Sequence, residues 1–206
     1  MSSEPALKNA MAFFDAQNLY QHAKAAFGHH HPNFDPLKLH RAVCAANGWR
    51  PTLVRFYTGV PTEERSPMWH GYWSRRLLGL KRAGVVVTTR PLRYRPSPED
   101  PGVFIAQEKG IDIRLALDLV SLARKQQFDV AVIYSQDQDL AEVASEVREI
   151  AREQGRWIKL ASAFPAGPMA TSGRGINGTD WFRMEESLYN SCLDMRDYRL
   201  PRPSPT

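Results

Sequence analysis

Five short apolar runs, residues 11–14, 52–57, 85–89, 130–134 and 157–161, alternate along this chain with amphipathic stretches. The intervening periodicity predicts helices over 19–27, 37–46, 67–82, 111–125 and 140–153. A strand–helix–strand repeat folds through right-handed crossovers, so the predicted class is α/β, with a central, mainly parallel sheet flanked by helices.

Local residues punctuate that pattern. Asp35 followed by Pro36 reads as an N-cap and first-turn proline, while Asn47-Gly48, Gly84 and Gly155 stop helices. Residues 90–107 carry Pro91, Pro96, Pro98 and Pro101 and are expected to form a long loop with a short ribbon. Residues 157–161 are expected to be the last strand of the main sheet. Beyond them lies a Gly- and Pro-rich stretch, then residues 181–184 and a short helix, 185–192, that dock back on the core. The final PRPSPT is expected to be disordered. The division read from this is a tail (1–9), one domain (10–162) and an extension (163–206) docked in part.

The 206 residues suffice for one full core, and 43% hydrophobic with 24% charged residues is the balance of a globular chain. No apolar run approaches the roughly 20 residues that span a bilayer, and MSSEPALKN lacks the order of a secretory signal. A cytoplasmic location without membrane contact is the expectation, and a homodimer is compatible with it. Cys44 and Cys192 are the two cysteines, with no CxxC pair, so neither a thiolate zinc site nor a disulfide framework is indicated. The net charge of +5 favours polyanionic partners, the more so because basic residues group at Arg75, Arg76, Lys81 and Arg82 and at Arg90, Arg93 and Arg95 around Tyr94.

Parallel sheets gather functional groups beyond the carboxyl ends of their strands. Asp15 ends the first strand, Asp137 and Asp139 follow the 130–134 strand, and Asp112 opens a helix after Gly110. Brought to one rim, these carboxylates repel unless a cation is present. Oxygen donors without nearby Cys or His favour Mg2+ or Mn2+, whose chemistry suits phosphodiester hydrolysis. Each aspartate alone is equally well a helix cap or solvated turn residue; their coincidence at strand ends favours a site. Asp118 falls partly on the inward stripe of its helix, so it either supports the site or pairs with an arginine.

Lesser candidates follow. Lys109 either holds a phosphate or is an exposed helix-start lysine. Tyr94 either stacks on a base of single-stranded RNA or packs a ribbon on the core. Ser135 either orients the acidic loop or satisfies its backbone. His29, His30 and His31 read more readily as a solvated loop tip than as a metal site.

Three blocks, FFDAQNLY, EKGIDIRLALDLV and DVAVIYSQDQDL, resemble in order and spacing the signature blocks of the NYN domain, of the LabA-like group within the PIN-like nucleases. The resemblance covers residues 12–161, and GTDWFRMEE resembles the group's closing segment. It implies a PIN-like Rossmannoid three-layer sandwich and a metal-dependent ribonuclease. By position it assigns Asp15 and Asn18 to the first block, Lys109, Asp112 and Asp118 to the second, and Ser135, Asp137 and Asp139 to the third. One departure stands out. The third block of the family reads Ser-Gly-Asp-Gly-Asp, and here Gln136 and Gln138 replace both glycines. Their side chains either narrow the cleft or offer amides to a phosphate or a held water.

The function expected is therefore a Mg2+- or Mn2+-dependent endoribonuclease acting on single-stranded RNA. Asp15, Asp112, Asp137 and Asp139 bind metal, and Asn18 orients water or phosphate. A non-catalytic RNA-binding module is the alternative. A phosphatase fits less well, because Gln17 stands where an aspartyl phosphatase would carry a second acid.

Overall fold

A strand with both faces buried must be apolar at every position, and the first strand shows why the chain forms two cores rather than one. In the computed structural model, which describes residues 3–30, 33–100 and 102–199, β1 (Asn9–Asp15) turns Ala10, Ala12 and Phe14 into one core and Met11 and Phe13 into the other.

The chain continues through α1 (Ala16–Phe27), α2 (Pro36–Asn47), β2 (Arg50–Val60), α3 (Pro67–Arg82) and β3 (Val86–Pro91). A ribbon of β4 (Arg93–Pro96) and β5 (Phe104–Gln107) follows, then α4 (Ile111–Arg124), β6 (Val130–Tyr134), α5 (Ala141–Glu153), β7 (Lys159–Pro165), β8 (Asp180–Met184) and α6 (Glu186–Ser191). The main sheet runs in the order β3-β2-β1-β6-β7-β8, and each of its pairings is parallel. Leu19 of α1, Leu39 of α2 and Leu77 of α3 pack on one face; Leu115 and Leu119 of α4 and Val147 and Ile150 of α5 pack on the other. This is the three-layer α/β sandwich expected.

Strand order makes the site. From β1 the chain moves outward to β2 and β3, then returns to β6 on the opposite side of β1, with Phe14 beside Tyr134. Helices therefore leave the carboxyl ends of β1 and β6 on opposite faces of the sheet, and a crevice opens between them.

Buried polar ties hold this junction. His40 on α2 donates from Nε2 to the Ala10 carbonyl at 3.0 Å and accepts at Nδ1 from the Tyr134 hydroxyl at 3.2 Å. Burial pushes the imidazole down to about 4, against the Ala10 carbonyl, which favours its protonated form.

Three sequence expectations need correction. The first helix starts at Ala16, not residue 19, because Asp15 caps it directly by accepting from the Asn18 amide. The run at 157–161 is not the end of the sheet: the strand extends to Pro165, and β8 pairs with it from Ala161↔Asp180 to Pro165↔Met184. DWFRM escapes an apolar-run search because it is an edge strand, largely exposed apart from Met184. The histidine loop is not a free tip. His29 Nε2 lies 2.8 Å from Asn190 Oδ1 on α6, while His31 lies outside the described residues.

The ribbon in the proline-rich stretch forms as expected, with Tyr94 opposite Ala106. The segment 181–184 and the helix after it do dock, and Tyr189 of α6 is buried in the first core. The terminal PRPSPT lies outside the described residues. Among those described, no helix is long and apolar enough to cross a membrane.

Candidate acidic site at the sheet crossover

Asp15 is the centre of the site because it ends β1, caps α1 and faces β6 at once. Its Oδ1 accepts from the Asn18 amide at 3.1 Å, and its Oδ2 accepts from the Ser135 hydroxyl at 3.2 Å. Ser135 Oγ in turn accepts from the Asp137 amide at 3.1 Å, and Asp137 Oδ1 accepts from the Asp139 amide at 3.0 Å. Asn18 closes the circuit: its Oδ1 accepts from the Gln136 amide at 3.0 Å. The loop after β6 is thereby fastened to the start of α1.

Burial raises the Asp15 carboxyl to about 6; the Asn18 and Ser135 hydrogen bonds oppose the rise, and the charges of Asp137 and Asp112 add to it. A second carboxylate behaves alike. Glu108 accepts a short hydrogen bond from the Gly59 amide at the end of β2. Burial pushes it up to about 7, against the Gly59 bond, with Asp15 and Asp112 repelling it further. A Cβ at Gly59 would push aside the ends of the Leu92 and Glu108 side chains, so the glycine lets the Glu108 carboxylate approach the β2 backbone closely. Gly110, at φ 76°, turns the chain from Glu108 into α4 and brings Asp112 into its first turn.

Asp15 thus interacts electrostatically with Asp137 in the loop after β6, with Asp112 at the start of α4 and with Glu108 just after β5, and Glu108 interacts with Asp112 as well. Asp139 lies in the exposed turn at Gln138–Leu140, outside this group of interacting charges. Sequence reading missed Glu108 because the expected loop ended at residue 107; its place two residues before Gly110, in the EKGID block, is the cue that would have found it.

Asp118 is ion-paired: Arg55 and Arg114 each reach it at 2.8 Å, and the Tyr57 hydroxyl donates to it at 2.9 Å. Burial would raise its carboxyl, but these partners hold it below the usual carboxylate range. It joins β2 to α4. Lys109 is exposed and makes no ion pair among the described residues. Arg90 lies against Gly110, while Arg93 and Arg95 are exposed on the ribbon. Tyr94 lies 5.9 Å from the Arg65 guanidinium, which also covers the Phe104 ring at 4.3 Å.

Both glutamine side chains bond to the segment that follows β7. Gln136 Nε2 donates to the Ser172 and Arg174 carbonyls at 3.2 and 2.7 Å. Gln138 Nε2 donates to the Gly175 carbonyl at 3.0 Å, and its Oε1 accepts from the Asn177 amide at 3.1 Å. Both side chains fasten the segment 172–177 to the acidic loop.

The donor set fits a hard divalent cation in charge and atom type. Among the described residues, no three acidic, His or Cys side chains surround a common point. Mg2+ tolerates this, because it keeps several waters and commonly takes only one or two carboxylates.

The family model for the NYN domain matches residues 9–171. No curated protein matches. Among solved structures, a protein of unknown function from Vibrio parahaemolyticus is 18% identical, with 90% of this chain and 96% of that one covered and a TM-score of 0.52, a likeness of fold. MurG of Acinetobacter baumannii, 12% identical over 85% of this chain and 45% of that one, has a TM-score of only 0.32.

Proposed function

The chain belongs to the NYN domain family, within the PIN-like superfamily, and on that footing we propose that it is a divalent-metal-dependent endoribonuclease acting on single-stranded RNA. One observation carries the reading: the buried Asp15 and the half-buried Glu108, raised to about 6 and about 7, stand with Asp112 and Asp137 at the carboxyl end of the sheet. Buried acids that repel one another are costly to keep without a counter-charge, and such clusters mark functional sites.

Asp15, Asp112 and Asp137 would hold Mg2+ or Mn2+, with Glu108 beside them and Asp139 at the outer edge. The cation would supply charge neutralisation at the phosphate oxygens. Asn18 and Ser135 keep the acidic loop in register with α1. Glu108, poised near neutrality, is suited to take a proton from an attacking water. Arg90, Arg93 and Arg95 would attract the phosphate backbone, and Tyr94 would offer a stacking face.

A second reading, a non-catalytic RNA-binding module, draws support from Gln136 and Gln138, which replace small residues in the acidic loop. Cleavage of labelled single-stranded RNA in Mg2+, in Mn2+ and in chelator, with Asp112→Asn and Asp137→Asn purified identically, separates the two. Metal-dependent cleavage lost in both variants supports the nuclease. RNA binding with no cleavage under either metal supports the module.

A further inference from the structure

A cavity of about 460 Å3 opens between α1, α3 and the C-terminal segment 194–199, within the size range of small-ligand sites. Six aromatic side chains line it: Tyr20, Phe34, Phe56, Trp69, Tyr72 and Trp73. Ala16 and Gly59 line it too, and these follow Asp15 and hold Glu108 respectively, so the cavity adjoins the acidic crevice.

One wall is a buried cation without an anion. Arg76 is 3% exposed, with its guanidinium 5.3 to 5.8 Å from the ring centres of Trp73, Phe34 and Phe56. Its terminal nitrogens donate to Asn33 Oδ1 at 3.1 Å and to the Phe34 carbonyl at 2.9 Å; its Nε has no partner. It forms no ion pair with a carboxylate among the described residues. The two carboxylates on the cavity rim are engaged elsewhere: Asp194 accepts from the Tyr198 hydroxyl at 2.8 Å, and Asp197 pairs with Arg199 at 2.8 Å. A buried positive charge among aromatic faces suits a flat ligand whose edge carries hydrogen-bond acceptors.

We propose that this cavity is a nucleotide subsite, taking one base of the RNA strand between its aromatic walls beside the acidic crevice. The inference rests on the nuclease reading for its place in the reaction, and on the cavity alone for its chemistry. Gln17 and Gln21, one turn apart on α1, line the same cavity, and among the described residues their side-chain amides make no hydrogen bond, which leaves them to pair with a base edge. Stacking on aromatic rings accepts any base, so these amides would supply the preference among bases.

Calorimetric titration of the full chain in chelator with adenosine, guanosine, cytidine and uridine 5′-monophosphates tests this without requiring catalysis. At least one nucleotide should bind saturably, inorganic phosphate should not compete at equal concentration, and single-stranded RNA should. Trp69→Leu should weaken nucleotide binding about tenfold, the scale of one lost base–aromatic stack, and Trp69→Phe should restore most of it. Trp69 is 40% exposed, so both variants should fold.

Absence of binding by all four nucleotides, equal binding of phosphate alone, or unchanged affinity in Trp69→Leu overturns the subsite. Nucleotide binding that RNA fails to displace overturns its place on the strand. RNA cleavage without nucleotide binding removes this inference and leaves the nuclease standing; nucleotide binding without cleavage does the reverse.

Discussion

Ser135 donates its hydroxyl to the buried Asp15 carboxylate at 3.2 Å, across the boundary between β6 and β1. Hydrogen bonds to charged groups contribute about 1.5 to 3 kcal/mol. Ser135→Ala should therefore lower stability by about that amount at pH 8, where Asp15 is ionised, and by less at pH 5. Urea unfolding midpoints at the two pH values check it.

Asp15 itself should destabilise the metal-free fold. Its carboxyl rises from 3.8 to about 6 on folding, chiefly through burial, so the folded state binds the proton more tightly. Stability from this group is present below pH 3.8 and is lost as pH rises through 6. Asp15→Asn, which keeps a capping side chain, should stabilise the protein at pH 8 by up to about 3 kcal/mol, at roughly 1.4 kcal/mol per pKa unit. The gain should vanish near pH 4, and Mg2+ should raise the melting temperature of the parent more than that of the variant.

His40 titrates in the opposite sense. Its imidazole falls from 6.5 to about 4 on folding, so the unfolded chain binds the proton more readily between those values. Stability present above pH 6.5 is lost as pH falls toward 4, by up to about 3 kcal/mol. His40→Gln should flatten this part of the pH profile, read as the difference between the two unfolding curves from pH 7 to pH 4.

Replacing Gln136 and Gln138 together by glycine should free the segment 172–177 without touching a carboxylate. Five hydrogen bonds tie these two side chains to residues 172–177 or to the acidic loop itself. The variant should lose about 2 kcal/mol of global stability. Trypsin should cut after Arg174 about tenfold faster, as expected when a local opening becomes easier.

The parallel sheet was legible because β1 and β6 are buried on both faces and so read as unbroken apolar runs, MAFF and VAVIY. Asp15, Asp112 and Asp137 were legible because a strand end and a helix start are marked by local residues. Glu108 was not, since its approach to Asp15 depends on a contact with Gly59, 49 residues away, that no local pattern encodes. The pairing of Asp118 with Arg55, 63 residues apart, was hidden for the same reason: periodicity places a charge on an inward face and says nothing of its partner. The aromatic cavity draws on helices far apart in the chain and on the segment after α6, and only the folded chain assembles it.

The sixth strand of the sheet, β8, also shields a flank of it. β7 is buried from Leu160 to Pro165 because β8 covers one side of it, and β8 presents Asp180 and Arg183 as the charged border of the sheet. A chain cut back to residues 9–171 would keep every carboxylate of the acidic group, yet it would leave LASAFP as a bare apolar border. Such a fragment should self-associate strand to strand, so insolubility of the shortened chain would report on its uncovered flank rather than on its chemistry.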